Sequence, residues 1–94
     1  MTVYTVTCHT PDNNDADRRM QGIGGTIGFT RWWHTVDQVI RNIEQIGDDY
    51  YVGTGIMRVR VLVRTHPTSR RKYITTDPDG RRGNNLLNLP HCPR

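Results

Sequence analysis

The most regular hydrophobic pattern in the chain lies within residues 35–46 and predicts an amphipathic helix. Thr35 is placed to cap the N-terminus, and Gln38 three residues later completes a capping-box pattern. Gly47 follows the last apolar position, where a left-handed residue commonly ends a helix. Apolar residues recur at i, i+3, i+4 and i+7 along one stripe. These are Val36, Val39, Ile40 and Ile43.

Alternating apolar and polar residues predict β-strands on both sides of this helix. Residues 3–8 and 50–52 are strand candidates, and residues 22–28 contain four glycines that favour an irregular or bulged strand. The clearest strand covers residues 56–64, with residues 72–76 returning as its hairpin partner. One side of the clearest strand carries Met57, Val59, Val61 and Val63, and the other carries Ile56, Arg58, Arg60, Leu62 and Arg64.

These elements predict an α+β fold, with one α-helix packed on a small, mainly antiparallel β-sheet. The 94 residues are enough for a single small domain over residues 1–94 with one modest core. No apolar run reaches the roughly 18 residues that a membrane span needs. The first residues lack the basic and then apolar pattern of a secretory signal, so we expect a cytoplasmic protein.

The C-terminal tail carries the most specific motif. Pro78-Asp79-Gly80 predicts a tight turn, and Asn84 or Asn85 can cap a short helical turn that Pro90 ends. The apolar residues of this segment are expected to close the open end of the core. They are Leu86, Leu87 and Leu89.

The strand at residues 3–8, the Thr35-capped helix and this tail together resemble a family of small bacterial domains of unknown function. The tail pattern is Y-x-x-T-x-P-D-G-x-x-x-N-N-L-L-x-L-P-x-C, from Tyr73 to Cys92. The resemblance covers nearly the full length, although only the tail is specific. It implies an α+β fold and a bacterial or phage origin, and it implies no reaction.

Positive charge is concentrated in the second half of the chain. Residues 1–49 hold four basic and seven acidic residues, whereas residues 50–94 hold nine basic and two acidic ones. Such asymmetry is typical of a polyanion-binding face, but arginines can also simply solvate the outer face of a sheet. The candidate nucleic-acid-binding residues are Arg58, Arg60, Arg64, Arg70, Arg71, Lys72, Arg81 and Arg82.

Trp32 and Trp33 are candidate partner-binding residues, because neighbouring strand residues point to opposite faces and one ring can therefore be exposed. Function is not assigned by any motif. We expect a non-enzymatic module that weakly binds nucleic acid or another polyanion through an arginine-rich sheet face. The alternative is a protein-interaction or self-association module that uses a sheet edge or an exposed tryptophan.

Cysteine and histidine occur in pairs at both ends of the chain. Cys8-His9 and His91-Cys92 could supply four zinc ligands if the termini meet. Adjacent strand residues point to opposite faces, so we predict no metal site and no cofactor. A Cys8–Cys92 disulfide is disfavoured in a reducing cytoplasm, and two ordinary thiols are expected. The glycines at 22–28 lack nucleotide-loop spacing and are expected to allow close packing against Trp32 or Trp33.

Overall fold

Six strands form one sheet in a computed structural model of the protein, which describes residues 2–12, 14, 20–53, 58–76, 86 and 89–92. One short helix lies between the third and fourth strands. The elements are β1 (Val3–Pro11), β2 (Met20–Ile27), β3 (Thr30–Thr35), α1 (Val36–Arg41), a π-helical segment (Asn42–Ile46), β4 (Asp49–Val52), β5 (Val59–Thr65) and β6 (Lys72–Thr76).

The strand order is β3-β2-β1-β4-β5-β6. All neighbouring pairs are antiparallel except β1 and β4, which run parallel with Tyr4 opposite Tyr50 and Thr5 opposite Tyr51. A parallel pair needs a crossover connection. Here α1 and the π-helical segment carry the chain from β3 at one edge back to β4 in the middle of the sheet.

The helix forms where the hydrophobic stripe predicts it. The Thr35 hydroxyl accepts a hydrogen bond from the Gln38 backbone N–H at 3.1 Å, which confirms the predicted N-terminal cap. Gly47 ends the segment in the left-handed region with φ of 84°, as glycine readily does. The last turn differs from the prediction because residues 42–46 are π-helical.

The two faces of the sheet have different roles. The face that packs against α1, called the helix face below, carries the apolar core, and Leu86 from the C-terminal segment is fully buried in it. This burial confirms that Leu86 closes the core, while Leu87 lies outside the described residues. The strand residues of the core are Val6, Met20, Ile23, Tyr50, Val52, Val59, Val61 and Ile74, and α1 adds Val36, Val39 and Ile40.

The predicted fold class is wrong in its proportions. The structure is dominated by a six-stranded mixed sheet with a parallel pair at its centre, and the helical region is one short segment. Two causes explain the difference. Residues 30–35 form a strand although they do not alternate in polarity, and residues 20–27 extend into a full strand. In the described part of the chain, no helix has the length and apolar character required to cross a membrane.

Candidate functional site

The sheet face opposite α1, called the open face below, is covered by no described helix or strand. Because side chains alternate along a strand, the residues opposite the core positions point to this face. On β5 and just before it, these residues are Arg58, Arg60 and Arg64, and Leu62 lies between the last two. Arg58, just before β5, and Arg60 and Arg64 within it therefore share one surface, as the alternation predicts.

Two of these arginines have partners on β4. The Arg58 guanidinium lies 4.0 Å from the centre of the Tyr51 ring, a cation–π contact. Arg60 stands opposite Tyr51 and forms an ion pair with Asp49, and its side chain remains 53% exposed. Such exposed pairs contribute only about 0–1 kcal/mol to stability, and the Asp49 carboxylate partly offsets the Arg60 charge on this surface. Arg64 is exposed, opposite Tyr73 on β6.

The other predicted basic residues that the structure describes lie in the β5–β6 turn or on the helix side of β6. Arg70 lies in the β5–β6 turn with φ of 62°, and Arg71 follows it. Lys72 points to the helix side, where its Nζ donates to the Glu44 carboxylate of the π-helical segment at 2.8 Å. The predicted cluster is therefore divided between the two sides of the sheet. Arg81 and Arg82 lie outside the described residues.

Aromatic rings accompany the arginines on the open face. Trp33 on β3, Tyr51 on β4 and Tyr73 on β6 all fall on this side by strand register. Trp33 on β3 and Tyr73 on β6 are separated by five strand spacings and six residue steps. Ideal sheet dimensions therefore place their Cα atoms about 30 Å apart. The longest dimension of the molecule is 39 Å. The three rings thus mark a line across most of the sheet.

Trp33 is held against the glycines of β2. A Cβ atom on Gly22 would lie 2.5 Å from Trp33 Cζ2, and one on Gly24 would lie 3.2 Å from Trp33 Cδ1, so the indole needs both glycines. Its Nε1 donates to the Thr10 hydroxyl at 3.1 Å, and 45% of the residue remains exposed. The prediction that the glycines allow close tryptophan packing is confirmed.

Trp32 takes the opposite role. It lies on the helix face, partly buried, with its ring centre 4.9 Å from those of Tyr4 and His34. Two adjacent tryptophans on β3 therefore serve the two faces. Of the two candidate partner-binding residues, Trp33 is exposed on the open face and Trp32 packs against the core.

A buried polar network lies beneath Trp32. The Tyr50 hydroxyl accepts a hydrogen bond from Asn42 Nδ2 at 2.8 Å and lies 2.8 Å from His34 Nδ1. Burial raises the pKa of Tyr50 to about 12, and burial lowers the pKa of His34 despite the nearby Asp48 carboxylate. Both side chains are thus held neutral, which is what a hydrogen-bonded network in a core requires. Its contacts are internal, and it anchors β3 and β4 to the helix.

The chain termini meet, and the predicted pair of free thiols is wrong. Cys8 and Cys92 form a disulfide with their Cα atoms 4.8 Å apart. The C-terminal segment is also hydrogen-bonded to β1, because His9 N donates to Pro90 O at 3.0 Å and Cys92 N donates to His9 O at 2.8 Å. Free thiols were expected because a cytoplasmic location was expected. The pairing of the C-terminal segment with β1 could not be deduced from the sequence, and it brings the two sulfur atoms together.

The four cysteine and histidine residues converge as two separate pairs. Cys8 and Cys92 are bonded on the open face. His9 is buried on the helix face, where its ring lies edge-on to His91 with centres 5.3 Å apart. Burial, followed by the charge of His91, lowers the pKa of His9. Among the described residues, no group of three or more potential ligands is placed to hold a metal ion.

A groove of about 500 Å³ runs beside the disulfide on the open face. It is lined by residues 7–8 of β1, 25–26 of β2, 31–33 of β3 and 90–92 of the C-terminal segment. Arg31 and Tyr51 lie on the open face but are not among the predicted binding residues. Arg31 lies two residues from Trp33, so its face follows once β3 is known to be a strand. The pairing of Tyr51 with Arg60 depends on a neighbouring strand and could not be deduced from local sequence.

The fold and this face define a small, sheet-dominated domain with an exposed basic and aromatic surface. The chain matches a family described as "Protein of unknown function (DUF3892)" over residues 6–90, and it therefore belongs to that family. This match confirms the predicted resemblance to small domains of unknown function. No curated protein and no solved structure matches the chain.

Proposed function

We propose that the protein is a non-enzymatic module that binds single-stranded nucleic acid through the open face. The observation that carries the proposal is the combination of Arg58, Arg60 and Arg64 with partly exposed rings on a sheet face that no described helix or strand covers. Proteins that bind single strands without strong sequence preference combine a positive surface for phosphates with aromatic side chains for stacked bases. Tyr51 and Tyr73 stand directly opposite Arg60 and Arg64, so each ring has a guanidinium beside it.

The charge of the face supports a polyanionic ligand. Among the described residues, the acidic side chain paired with an open-face arginine is Asp49, which forms its ion pair with Arg60. Arg31 adds a further exposed guanidinium on β3. The rings distinguish a nucleic acid from other polyanions, because bases stack on aromatic side chains whereas sulfated polysaccharides offer no comparable π-face. The bacterial origin and the cytoplasmic location remain predictions that accompany this proposal.

The test is a salt series of binding to labelled single-stranded RNA and DNA of about 12 nucleotides. Each phosphate contact contributes about 0.7 to the slope of log affinity against log salt for single strands. Arg60→Gln combined with Arg64→Gln should therefore reduce that slope by about 1.4. The matched control is Arg41→Gln, which removes a charge from the exposed side of α1 and should leave the slope unchanged.

Stacking is tested by Tyr51→Ala. This change should weaken oligonucleotide binding by about 1–3 kcal/mol and should leave heparin binding nearly unchanged. Equal losses for both ligands would indicate a charged surface without base stacking. Binding weaker than about millimolar at low salt would contradict the proposal, because even non-specific complexes usually exceed that strength at physiological salt.

Self-association through β3 is a second candidate function, favoured by a separate observation. Among the described strands β3 pairs only with β2, so its outer edge is open to another strand. Large apolar residues are exposed on the same hairpin: Phe29 fully, Trp33 by 45% and Ile27 by 43%. The proposed occupant is β3 of a second copy, in antiparallel register, because an isologous contact buries the same apolar residues on both subunits.

Sedimentation across a wide concentration range tests the dimer. Phe29→Lys should shift the protein toward monomer if the hairpin lies at the contact, whereas Arg41→Gln should not. A protein that sediments as a monomer at every concentration would refute self-association. The substitutions of the nucleic-acid test, at Arg60, Arg64 and Tyr51, lie on β4 and β5, three and four strands from β3, so the two tests change separate positions.

A further inference from the structure

The disulfide and Arg31 lie on the same groove of the open face. Residues 8 and 92 contribute to its wall together with residue 31, and neither cysteine is fully buried. Exposed disulfides are the ones that exchange readily with thiols, whereas structural ones are typically shielded. Arg31 is an exposed cation on this groove. A thiol that also carries a negative charge can therefore reach the disulfide while its charge binds the guanidinium on the same groove.

The separation between Arg31 and the disulfide leaves room for a ligand. Arg31 on β3 is opposite Thr26 on β2, and Cys8 on β1 is opposite Gly24 on β2. Thr26 and Gly24 are two residues apart, so Arg31 and Cys8 are separated by two strand spacings and two residue steps. Ideal sheet spacings place the Cα atoms of Arg31 and Cys8 about 12 Å apart. This distance is too long for direct contact and matches an extended arginine side chain plus a small molecule. The ring of Trp33 bounds the same space, near the Cys8 sulfur above Gly24.

We propose that this groove is a thiol-exchange site for a small thiol that carries a carboxylate. The carboxylate binds the Arg31 guanidinium, and the thiolate attacks Cys92 Sγ. A new sulfur–sulfur bond forms between the ligand and Cys92, and the Cys8–Cys92 bond breaks with Cys8 leaving as a thiolate. A second molecule of the same thiol then attacks the ligand sulfur, which releases the ligand as its own disulfide and Cys92 as a thiolate.

The electrons balance over these two steps. Two ligand thiols are oxidised to one ligand disulfide while the protein disulfide is reduced to two thiols, and the two protons of the ligand thiols end on Cys8 and Cys92. Attack at Cys92 is the favoured direction for a steric reason. Cys8 lies in β1 between β2 and the C-terminal segment, whereas Cys92 lies in the C-terminal segment, which is hydrogen-bonded to β1 and forms part of the groove wall.

The experiment measures exchange rates of the oxidised protein with mercaptopropionate and its neutral analogue mercaptopropanol. Each rate is expressed per thiolate and divided by the rate of the same thiol on a small linear disulfide, so that intrinsic reactivity cancels. A single ion pair at the surface at about 4 Å corresponds to about a fivefold preference in water. We expect this preference for mercaptopropionate in the unchanged protein, and we expect it to decline as salt is added.

Arg31→Gln should abolish the preference, while the matched Arg41→Gln control should retain it. Both positions are exposed, so both variants are expected to fold. Mass spectrometry after acid quenching and alkylation should find the ligand on Cys92 and the alkyl group on Cys8. Equal normalised rates for the two thiols, or an equal loss of preference in both variants, would overturn the proposal. An adduct found on Cys8 would overturn the assigned direction of attack.

Discussion

Removal of the Cys8–Cys92 disulfide is expected to lower the free energy of unfolding by about 4 kcal/mol. The two cysteines are separated by 84 positions, so the bond closes most of the chain into one loop. In the loop-entropy description, a closed loop of this size reduces the entropy of the unfolded chain by an amount worth about 4.6 kcal/mol at room temperature. Total stability of a domain is commonly about 5–15 kcal/mol, so this single bond decides whether the fold is robust or marginal.

The assay is urea unfolding followed by tryptophan fluorescence, with and without reductant. The reduced protein should unfold at lower urea, and its dependence on urea should be steeper because its unfolded state is no longer held compact by a cross-link. Cys8→Ser combined with Cys92→Ser is the matched control, and it should behave like the reduced protein under both conditions. Stabilities of oxidised and reduced protein within about 1 kcal/mol would refute the loop-closure argument, since the expected effect is several times larger.

Three further changes test the packing around the tryptophan-bearing strand. Gly22→Ala should destabilise the protein by about 1–3 kcal/mol, because its Cβ would clash with the His34 carbonyl oxygen and would meet Trp33 Cζ2 at 2.5 Å. Thermal unfolding measures this loss, and an unchanged midpoint would contradict the close approach of β3 to Gly22. Tyr50→Phe should lower the free energy of unfolding by about 1–3 kcal/mol, because the buried Asn42 amide loses its hydrogen-bond acceptor. Urea unfolding measures this loss, and a loss no larger than that of a Tyr→Phe change at an exposed tyrosine would refute the argument. Burial lowers the pKa of His34 below 6.5, so the unfolded state binds more protons and the stability should fall as the pH decreases below about 6.5. His34→Gln should reduce this pH dependence of the urea midpoint between neutral and acidic pH, and an unchanged dependence would exclude His34 as a cause.

Local signals in the sequence were sufficient for the helix and for the β5–β6 hairpin. The Thr35 cap and the apolar stripe depend on residues within a few positions of one another, so they could be recognised without knowledge of the tertiary structure. The same holds for β5, where three valines alternate with Arg60, Leu62 and Arg64 over residues 59–64. The face that these arginines share follows from the alternation. Their ion pair and ring contacts, with Asp49 and Tyr51, depend on a neighbouring strand and could not be deduced locally.

The strand β3 was missed for a physical reason. Its two adjacent tryptophans lie on opposite faces, with Trp32 against the core and Trp33 over the glycines of β2. A strand that places apolar groups on both sides shows no alternation, and the signal that remains is the cluster of glycines on its partner. The parallel pairing of β1 with β4 was likewise invisible, because it requires contacts between residues more than forty positions apart.

A β-bulge in β1 connects the closure of the chain to the open face. Val6 is opposite Gly25 and Cys8 is opposite Gly24, so the strand contains one more residue than its partner at this point. Regular alternation would place Cys8 on the same face as Val6, beneath α1. The extra residue reverses the alternation, which turns Cys8 toward Trp33 on the open face and turns His9 into the core. The bulge therefore places the disulfide on the open-face groove rather than in the interior.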